Sequence, residues 1–451
     1  MDNLLIIGGS DAGISAALRA REVAPSCSVT VMLADDYPNY SICGLPFFLS
    51  GEIPDWRALA HRTREELLRQ GIRLLPDHKA TAVRPEEKIV VVSSSSGGKT
   101  LSYDRLILAT GAASRKPGHI KGLDTPGVFF LRWMADSFAI AQHIERNTPT
   151  SALIIGNGYI GMEMADALTR RGLAVTLVGH SQHVLKTVDP TLGRLVLAEL
   201  ERNSVRVASG VDVEEIGVRD GRLMAIGSGG FQAQVDLVLV ATGAEPEVGL
   251  AKSGKVPLGY GGAIKVNRRM ETGVPGIFAA GDCVETWHRL LEKSLYLPLG
   301  TTAHKQGRIA GENALGGRKE YAGTLGTQVL KLFDLAIART GLNDAEARLE
   351  GFSPLTVETE CWDHKNYYPG AHRLHIRVTG DRTTGYLLGA QIIGHWQTGV
   401  AKRIDVFATA IFNRMKVEEV EQLDLSYTPP LSNPWDPVQM SAEAWCRTAY
   451  Q

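Results

Sequence analysis

The sequence predicts an α/β fold with two doubly wound, Rossmann-type domains, followed by a separate α+β unit. Residues 4–13 (LLIIGGSDAG) and 152–161 (ALIIGNGYIG) each read as a short apolar strand that breaks into a glycine turn and continues as a helix. A second pair, residues 106–111 (LILATG) and 237–243 (LVLVATG), repeats further along. Apolar runs without alternation are typical of strands buried on both faces of a parallel sheet. The repeats therefore predict two parallel sheets covered by helices.

After residue 320 the pattern of the sequence changes. Residues 374–378 and 386–394 are strand-like, and residues 399–415 follow an amphipathic helical pattern. In the N-terminal part, the run SSSSGG at residues 93–98 is typical of a hairpin loop. The change after residue 320 is the basis for the predicted α+β unit.

Length, charge and cysteine content exclude several classes of protein. A chain of 451 residues is too long for one compact core. Its 48 basic and 49 acidic residues leave a net charge of -1, which offers no general attraction to nucleic acid or to an anionic membrane. No basic leader precedes the first apolar run. No apolar run reaches the roughly 18 residues of a membrane span. The five cysteines are scattered and fit neither a disulfide framework nor a zinc site. We therefore expect a cytoplasmic protein with no nucleic-acid, membrane or metal partner.

The two glycine turns indicate dinucleotide binding. A glycine turn lets the backbone approach a pyrophosphate, and the helix that follows directs its first N–H groups at the phosphates. The turn at residues 156–161 satisfies the full G-x-G-x-x-G pattern, whereas the first turn has Ser10 in place of the middle glycine. One such pattern is weak, because a purely structural turn also produces it. Two copies, each between a strand and a helix, predict two bound dinucleotides.

A third segment connects these turns with a known family. Residues 272–282 (TGVPGIFAAGD) place a carboxylate, Asp282, directly after another buried strand, where it could accept hydrogen bonds from a ribityl chain. This segment resembles the flavin-binding signature of the pyridine nucleotide-disulfide oxidoreductases, and the resemblance covers essentially the whole chain. It implies that the first turn binds FAD, that the second binds NADH or NADPH, and that Tyr159 covers the flavin as a gate with Glu163 as its neighbour.

The resemblance also implies a domain organisation and a set of cofactor-binding residues. The FAD-binding domain would comprise residues 1–115 and 246–320, the NAD(P)H-binding domain residues 116–245, and the dimerisation domain residues 321–451. The residues implied to bind the cofactors are Gly8, Gly9, Ser10, Asp11, Ala12, Gly13, Asp35, Asp36, Ala80, Thr110, Gly111, Arg132, Gly156, Gly158, Tyr159, Ile160, Gly161, Glu163, Gly243, Gly281, Asp282 and Ala303.

Both units depart from the family at the acid that usually holds an adenosine ribose after the second strand. In the FAD unit Asp35 or Asp36 must substitute for it. In the nicotinamide unit the strand ends at Gly179, so a preference for NADH is not enforced and the choice of coenzyme is open. The basic residues that could meet a 2′-phosphate there are His180, His183 and Lys186.

The motif SICGLPFFLSG at residues 41–51 contains Cys43, with no second cysteine nearby. Two-cysteine members of the family carry Cys-x4-Cys, whereas this chain has Phe48 at the second position. The motif is similar to that of the single-cysteine branch, which contains coenzyme A disulfide reductases, persulfide reductases, and NADH oxidases and peroxidases. We expect a following helix, with Pro46 in its first turn, to lower the pKa of the Cys43 thiol. The resemblance implies that electrons pass from NAD(P)H to FAD and then to a mixed disulfide between Cys43 and a substrate thiol.

Two C-terminal segments resemble the parts of the family that reach from one subunit of a homodimer toward the flavin and thiol of the other. The segment YYPGA begins at Tyr367, and the segment LSYTPPLSNPWDP contains Tyr427. The resemblance implies that Cys43, Tyr367 and Tyr427 are catalytic, with the tyrosine hydroxyls donating to a leaving thiolate, and that the enzyme is a homodimer.

The substrate implied by the resemblance is a small-molecule disulfide or persulfide, including those derived from coenzyme A. Three departures put coenzyme A itself in question: Glu22 stands where the family usually has arginine, and Ile42 and His304 replace asparagines. The residues implied to bind the substrate are Ser15, Arg19, Asn39, Ile42 and His304.

The leading interpretation is an FAD-dependent NAD(P)H:disulfide or persulfide oxidoreductase similar to the coenzyme A disulfide reductases. One alternative on the same scaffold is an NAD(P)H oxidase or peroxidase in which Cys43 cycles through sulfenic acid. Another is a flavin-bearing redox sensor or electron-transfer protein without a small disulfide substrate.

Overall fold

The computed structural model describes residues 3–94 and 97–451. The strands are β1 Asn3–Ile7, β2 Ser28–Met32, β3 Ile72–Leu75, β4 His78–Arg84, β5 Ile89–Ser94, β6 Gly97–Ser102, β7 Arg105–Leu108, β8 Ala112–Ser114, β9 Val128–Phe129, β10 Ser151–Ile155, β11 Ala174–Gly179, β12 Arg206–Ser209, β13 Val213–Arg219, β14 Arg222–Gly227, β15 Gln232–Val235, β16 Leu237–Val240, β17 Ala244–Pro246, β18 Ile277–Ala279, β19 Thr286–His288, β20 Lys293–Leu295, β21 Gln328–Leu332, β22 Leu335–Gly341, β23 Pro354–Trp362, β24 Arg373–Asp381 and β25 Leu387–His395. The helices are α1 Asp11–Val23, α2 Leu45–Ser50, α3 Arg64–Arg69, α4 Met134–Asn147, α5 Tyr159–Arg170, α6 Pro190–Arg202, α7 Gly249–Ser253, α8 Gly300–Ala314, α9 Asp344–Leu349, α10 Val400–Phe412, α11 Val417–Glu421 and α12 Pro437–Ala449.

Two parallel five-stranded sheets confirm the predicted pair of doubly wound units. The first has the order β18-β7-β1-β2-β3 and the second the order β12-β11-β10-β16-β9. Their central strands β1 and β10 are the apolar runs that precede the glycine turns, and their apolar side chains are buried. In each sheet the chain reverses its direction of winding next to this central strand, which is where open α/β sheets bind ligands. The topology therefore places both glycine turns at binding positions.

A short antiparallel pair of strands lies where the chain passes from the first unit to the second and back. Strand β8 leaves the first unit and pairs with β17, which returns from the second. Strand β18 then joins the edge of the first sheet beside β7. The first sheet is therefore built from two separate parts of the sequence. The predicted domain boundaries at residues 115, 245 and 320 stay predictions.

The C-terminal part forms the predicted α+β unit. Its antiparallel sheet has the order β21-β22-β25-β24-β23, and α10 and α12 pack against one face of it. Trp445 of α12 is buried in this interface, and its indole N–H donates a hydrogen bond to the carbonyl of Leu355 at 2.8 Å. The unit therefore has a hydrophobic core of its own.

Each parallel unit also contains a small three-stranded antiparallel sheet, called a ribbon here. Strands β4, β5 and β6 form one ribbon, and β13, β14 and β15 form the other. The predicted hairpin loop joins β5 to β6, and its residues 95 and 96 lie outside the described residues. Within residues 3–94 and 97–451, no helix is long and apolar enough to cross a membrane.

Helices α1 and α8 pack unusually closely, and this contact positions the first glycine turn. A Cβ atom on Gly307 would lie 2.2 Å from the carbonyl oxygen of Ala12, and one on Gly311 would lie 2.2 Å from that of Ala16. Only glycine allows the backbones to approach so closely. The contact brings the beginning of α8 to the beginning of α1, where the sequence predicts FAD.

Candidate active site

The first glycine turn has no space for larger residues. Gly8 has a φ of 116° and its Cβ would lie 2.0 Å from the carbonyl oxygen of Ala109, while a Cβ on Gly13 would lie 1.9 Å from the carbonyl oxygen of Gly8. Helix α1 begins at Asp11, and its N-cap residue Ser10 makes no side-chain capping bond. The first N–H groups of α1 therefore remain available for an anion such as a pyrophosphate.

A carboxylate and a guanidinium meet beside this turn. Asp282 follows β18 and forms an ion pair with Arg132, and both side chains are largely buried. The N–H of Gly281 donates to the side-chain oxygen of Gln306 at 3.0 Å, and a Cβ on Gly281 would lie 2.7 Å from that of Ala12. The structure thus gathers Asp282, Arg132 and the first turn, which the sequence predicted as parts of one FAD site. Ala303 of α8 is also close, since its Cβ would lie 3.7 Å from a Cβ on Gly281.

The remaining residues predicted for FAD lie around the same sheet. Asp35 is half-buried and accepts a hydrogen bond from the N–H of Tyr37 at 3.2 Å, whereas the carboxylate of Asp36 is exposed and paired with Arg64. Asp35 is therefore the better candidate for holding a ribose. The other predicted residues are Ala80 in β4 and Thr110 and Gly111 after β7.

The second glycine turn opens into a cavity of about 1620 Å³. A Cβ on Gly156 would lie 2.3 Å from the carbonyl oxygen of Ala241, and one on Gly161 would lie 1.9 Å from that of Gly156. Gly158, in contrast, faces open space. The cavity is lined by members of the predicted site, namely Cys43, Gly156, Gly158, Tyr159, Ile160, Glu163 and Gly243. The structure therefore brings the predicted nucleophile and the predicted nicotinamide turn into one cavity.

Cys43 is exposed, whereas the other four cysteines are buried. It lies in a 3-10 turn, Ile42–Gly44, directly before α2, and Pro46 occupies the first turn of that helix as expected. The expected lowering of the thiol pKa is wrong for this structure. Although Cys43 keeps contact with solvent through the cavity, the protein groups around its sulfur desolvate the thiolate, which raises the pKa of Cys43. The negative charges of Glu163 and Asp11 raise it further. A helix of six residues does not outweigh these effects.

Tyr159 and Glu163 lie one turn apart at the beginning of α5. Burial raises the pKa of the Tyr159 hydroxyl, which lies near Thr187. Burial also raises the pKa of Glu163 to about 7, because the ionised carboxylate is poorly solvated there. Glu163 therefore changes charge near neutral pH, close enough to Cys43 to influence the thiol.

The residues predicted to bind the substrate form two groups. In the first group, the Ser15 hydroxyl hydrogen-bonds to Nδ1 of His304 at 2.8 Å, and Nε2 of the same ring lies 3.4 Å from the Asp11 carboxylate. His61 completes the cluster, with its ring centroid 6.1 Å from that of His304. The neighbouring Asn39 is buried in a left-handed conformation, and Ile42 is half-buried beside Cys43. Sequence reasoning missed His61, which carries no local motif.

The second group is a network of charges on the outer faces of α1 and α8. Glu22 accepts hydrogen bonds from Arg308 at 3.0 Å and from Arg19 at 2.8 Å. Arg19 also donates to Glu312 at 2.7 Å. Arg308 and then Arg19 lower the pKa of Glu22, so this carboxylate is ionised. The predicted phosphate-binding Arg19 is therefore already neutralised by carboxylates of the same chain.

Tyr367 and Tyr427 lie together on the surface of the C-terminal unit. Their exposed fractions are 71% and 43%, and partial desolvation, followed by the nearby Tyr367, raises the pKa of the Tyr427 hydroxyl. In the part of the chain that the structure describes, neither tyrosine lines the cavity of the same chain's Cys43. The structure of one subunit therefore does not bring them to this thiol.

Residues 2–307 match the family described as pyridine nucleotide-disulphide oxidoreductase, and residues 327–437 match its dimerisation domain. The chain belongs to this family. The predicted fold class is therefore confirmed, as is the use of FAD and NAD(P)H. The glycine turns, the free helix N-termini and the paired Arg132 and Asp282 fit these two cofactors.

Individual relatives cover nearly the whole chain. It is 35% identical over 436 residues to the NAD(P)H sulfur oxidoreductase (CoA-dependent) of Pyrococcus furiosus, covering 96% of this chain and 97% of that protein. It is 30% identical over 444 residues to the coenzyme A disulfide reductase of Staphylococcus haemolyticus, with 98% of both chains covered. Among solved structures, the NAD-dependent persulfide reductase from A. fulgidus superposes with a TM-score of 0.95 at 33% identity, covering 99% of this chain and 83% of that one. These relatives support an enzyme of the disulfide oxidoreductase type.

Proposed function

We propose that the enzyme reduces small disulfides or persulfides with NAD(P)H and that Cys43 is its nucleophile. The observation that carries this proposal is the position of Cys43, the exposed cysteine, in the cavity that also contains the nicotinamide turn, Tyr159 and Glu163. A thiol in this place is accessible both to a substrate and to the redox cofactors. FAD supplies the two-electron transfer between NAD(P)H and sulfur.

The chemistry of the thiol follows from its surroundings. The Cys43 thiolate attacks one sulfur of RSSR′, which forms the bond Cys43–S–S–R and breaks the S–S bond of the substrate. The departing R′S⁻ takes a proton and leaves as R′SH. Two electrons that originate from NAD(P)H then cleave the mixed disulfide and, with a proton, release RSH. The sum is NAD(P)H + H⁺ + RSSR′ → NAD(P)⁺ + RSH + R′SH.

The active enzyme in this proposal is a homodimer. The exposed Tyr367 and Tyr427, on a unit that matches the family's dimerisation domain, support a role at the other active site of the dimer. Their hydroxyls would donate a proton to the thiolate that leaves the partner subunit's Cys43.

The charge network on α1 and α8 supports a substrate that does not depend on coenzyme A. Glu22 pairs with Arg19 and Arg308, and Glu312 pairs with Arg19 as well, which leaves less positive charge for the phosphates of coenzyme A. We therefore expect activity with coenzyme A disulfide to be present but weaker than with a small uncharged disulfide.

Product analysis under anaerobic conditions tests the proposal. The holoenzyme is incubated with NADPH or NADH and with coenzyme A disulfide, coenzyme A persulfide or 2-hydroxyethyl disulfide. The release of thiol is then measured. Release of thiol with matching consumption of coenzyme supports a reductase. A parallel assay in air measures oxygen: oxygen consumption without added disulfide, together with no thiol release in the anaerobic assay, would instead establish the oxidase. Absence of turnover with all substrates and with oxygen would favour a sensor or electron-transfer protein.

A further inference from the structure

A carboxylate and two imidazoles from three separate parts of the chain meet beside the first glycine turn. One oxygen of Asp11, one ring nitrogen of His61 and one ring nitrogen of His304 all lie within 4.8 Å of one another. In a tetrahedral zinc site with bonds of about 2.0–2.1 Å, neighbouring ligand atoms are roughly 3.4 Å apart. Nε2 of His304 lies 3.4 Å from Oδ1 of Asp11. This pair therefore already has the separation of two ligands that share one ion.

The Asp11 oxygen that faces the imidazoles is buried without a hydrogen-bond donor. Among residues 3–94 and 97–451, no group donates a hydrogen bond to Oδ1, and its contact with Nε2 of His304 lacks hydrogen-bond geometry. A buried carboxylate oxygen costs free energy unless a donor or a cation satisfies it. The neighbouring Arg132 and Asp282 pair with each other and add no net charge. The orphaned oxygen therefore indicates a cationic ligand at this cluster.

His304 is held in the orientation of a metal ligand. Its Nδ1 hydrogen-bonds to the hydroxyl of Ser15 at 2.8 Å, and Ser15 is buried one turn after Asp11 on α1. If Nε2 binds an ion, Nδ1 keeps the proton and donates it to the Ser15 oxygen, which fixes both the tautomer and the ring. The close contact of α8 with α1 at Gly307 also fixes the distance between the two helices that carry these groups.

His61 is brought to the cluster by its backbone and not by a helix. Its N–H donates a hydrogen bond to the carbonyl oxygen of Asn39 at 2.9 Å, and Asn39 is itself buried. The ring of His61 remains exposed, with its centroid 6.1 Å from that of His304. An ion can therefore reach the cluster from solvent, and positions around it remain for ligands that are not part of the protein.

We propose that Asp11, His61 and His304 form a binding site for a divalent transition-metal ion, and that Zn²⁺ fits it best. Two imidazoles and one carboxylate suit Zn²⁺ and leave a position for water or a sulfur ligand. Mg²⁺ and Ca²⁺ prefer oxygen ligands and should not bind. The expectation of no metal partner came from the spacing of the cysteines, and none of these ligands is a cysteine. The site lies near the proposed nucleophile, since the charge of Asp11 acts on Cys43.

Calorimetric titration of the holoenzyme with ZnCl₂ tests the site. Because FAD stays bound, only a site that the flavin leaves free is measured. The titration is run in the wild type and in Cys43→Ser, so that the exposed thiol does not account for binding, and the other four cysteines are buried. We expect saturable binding of one Zn²⁺ per subunit in both proteins. MgCl₂ at the same concentrations should give no saturable binding.

Two variants and a matched control locate the ion. His61→Asn and His304→Asn should each weaken Zn²⁺ binding by about tenfold or more, because loss of an outer contact to a metal ligand alone has an effect of that size. His183→Asn removes another exposed histidine and should leave the affinity unchanged. The flavin absorbance and melting temperature of each variant show whether its fold and FAD content are intact.

A crystal of the wild-type holoenzyme soaked in ZnCl₂ provides a test that needs no variant. The anomalous difference peak should lie between Asp11, His61 and His304. No saturable binding of one ion per subunit, full affinity in both histidine variants, or an anomalous peak elsewhere would overturn the site. These results do not depend on the proposed reductase activity, because neither NAD(P)H nor a disulfide is present.

Discussion

Cys43 is exposed to its cavity yet has a thiol whose pKa is raised, so its reactivity depends on the charges around it. Burial is the largest cause, followed by the negative charges of Glu163 and Asp11. The pKa of the Cys43 thiol is raised, whereas the pKa of Glu163 is about 7. Glu163 is therefore ionised over the pH interval in which the thiol titrates. The carboxylate of Glu163 therefore opposes formation of the nucleophile.

Glu163→Gln should make the thiol more reactive. Removal of the negative charge lowers the pKa of Cys43, so the rate of its alkylation by iodoacetamide in the holoenzyme at pH 8 should rise by about twofold to fivefold. The measurement is the alkylation rate from pH 6 to 10, with Glu214→Gln, an exposed acid on β13, as the control. An unchanged pH profile would mean that the charge of Glu163 does not reach the thiol.

Glu22→Arg should improve coenzyme A substrates selectively. The substitution removes the carboxylate partner of Arg308, leaves Arg19 paired with Glu312 alone, and adds a third cation beside them. Because these side chains are partly exposed, we expect the Michaelis constant for coenzyme A disulfide to fall by about fivefold to tenfold. The constant for 2-hydroxyethyl disulfide should stay the same, and Glu22→Gln should lie between the two.

Steady-state kinetics with both substrates decide this point. A wild-type enzyme that already has a low micromolar constant for coenzyme A disulfide, and that is unaffected by Glu22→Arg, would show that Glu22 does not face the substrate.

At the scale of elements, the contact between α1 and α8 connects the FAD turn with the substrate residues. Helix α8 carries Ala303 next to Gly281 and carries His304 next to Ser15 and Asp11. Displacement of α8 would therefore disturb the predicted flavin site and the predicted substrate site together.

Gly307→Ala tests this contact with a single methyl group. The added Cβ would lie 2.2 Å from the carbonyl oxygen of Ala12, so the helices must separate. We expect the free energy of unfolding to fall by about 2 kcal/mol, the melting temperature to fall by about 2 °C, and FAD to be retained more weakly. Gly217→Ala on β13 is the control, since nothing lies within 4 Å of its Cβ. Equal melting temperatures and equal flavin content in the two variants would contradict the account.

The elements that the sequence predicted well are those whose signal is local. The apolar runs at β1 and β10 and the glycine turns after them are recognisable because strand, turn and helix follow one another within a few residues. The cluster around His304 was only partly predicted, since it depends on contacts across 289 residues. His61 reaches this cluster because the segment at residues 39–41 pairs with residues 59–61, and no spacing in the sequence indicates that pairing. The wrong expectation for the Cys43 pKa has the same origin, because the desolvation of the thiol and the approach of Glu163 and Asp11 to it arise only in the folded chain.

At the scale of the whole molecule, the proposal requires two subunits for each active site. Tyr367 and Tyr427 are exposed on the C-terminal unit, and among the residues that the structure describes they are not part of the lining of their own chain's Cys43 cavity. In a two-fold symmetric dimer each subunit would supply the tyrosines to the thiol of the other.

Mixed dimers should reveal this arrangement. A subunit with Cys43→Ser and a subunit with both Tyr367→Phe and Tyr427→Phe are each expected to be poorly active as homodimers. Co-expressed and purified by two different tags, the heterodimer has one complete site and should show about half of the wild-type disulfide reductase rate. A heterodimer no more active than the two homodimers would place the tyrosines in the same subunit as their thiol, or outside the mechanism.

The most direct test of the central claim, that Cys43 is the nucleophile of disulfide reduction, separates the two half-reactions in the Cys43→Ser holoenzyme. Reduction of the bound flavin by NADPH or NADH, followed by stopped-flow absorbance, should proceed within about twofold of the wild-type rate, because hydride transfer does not use the thiol. Steady-state reduction of 2-hydroxyethyl disulfide should fall by about a thousandfold or more, because the serine hydroxyl does not form the mixed disulfide. A variant that reduces the disulfide at the wild-type rate would contradict the account and place the nucleophile elsewhere.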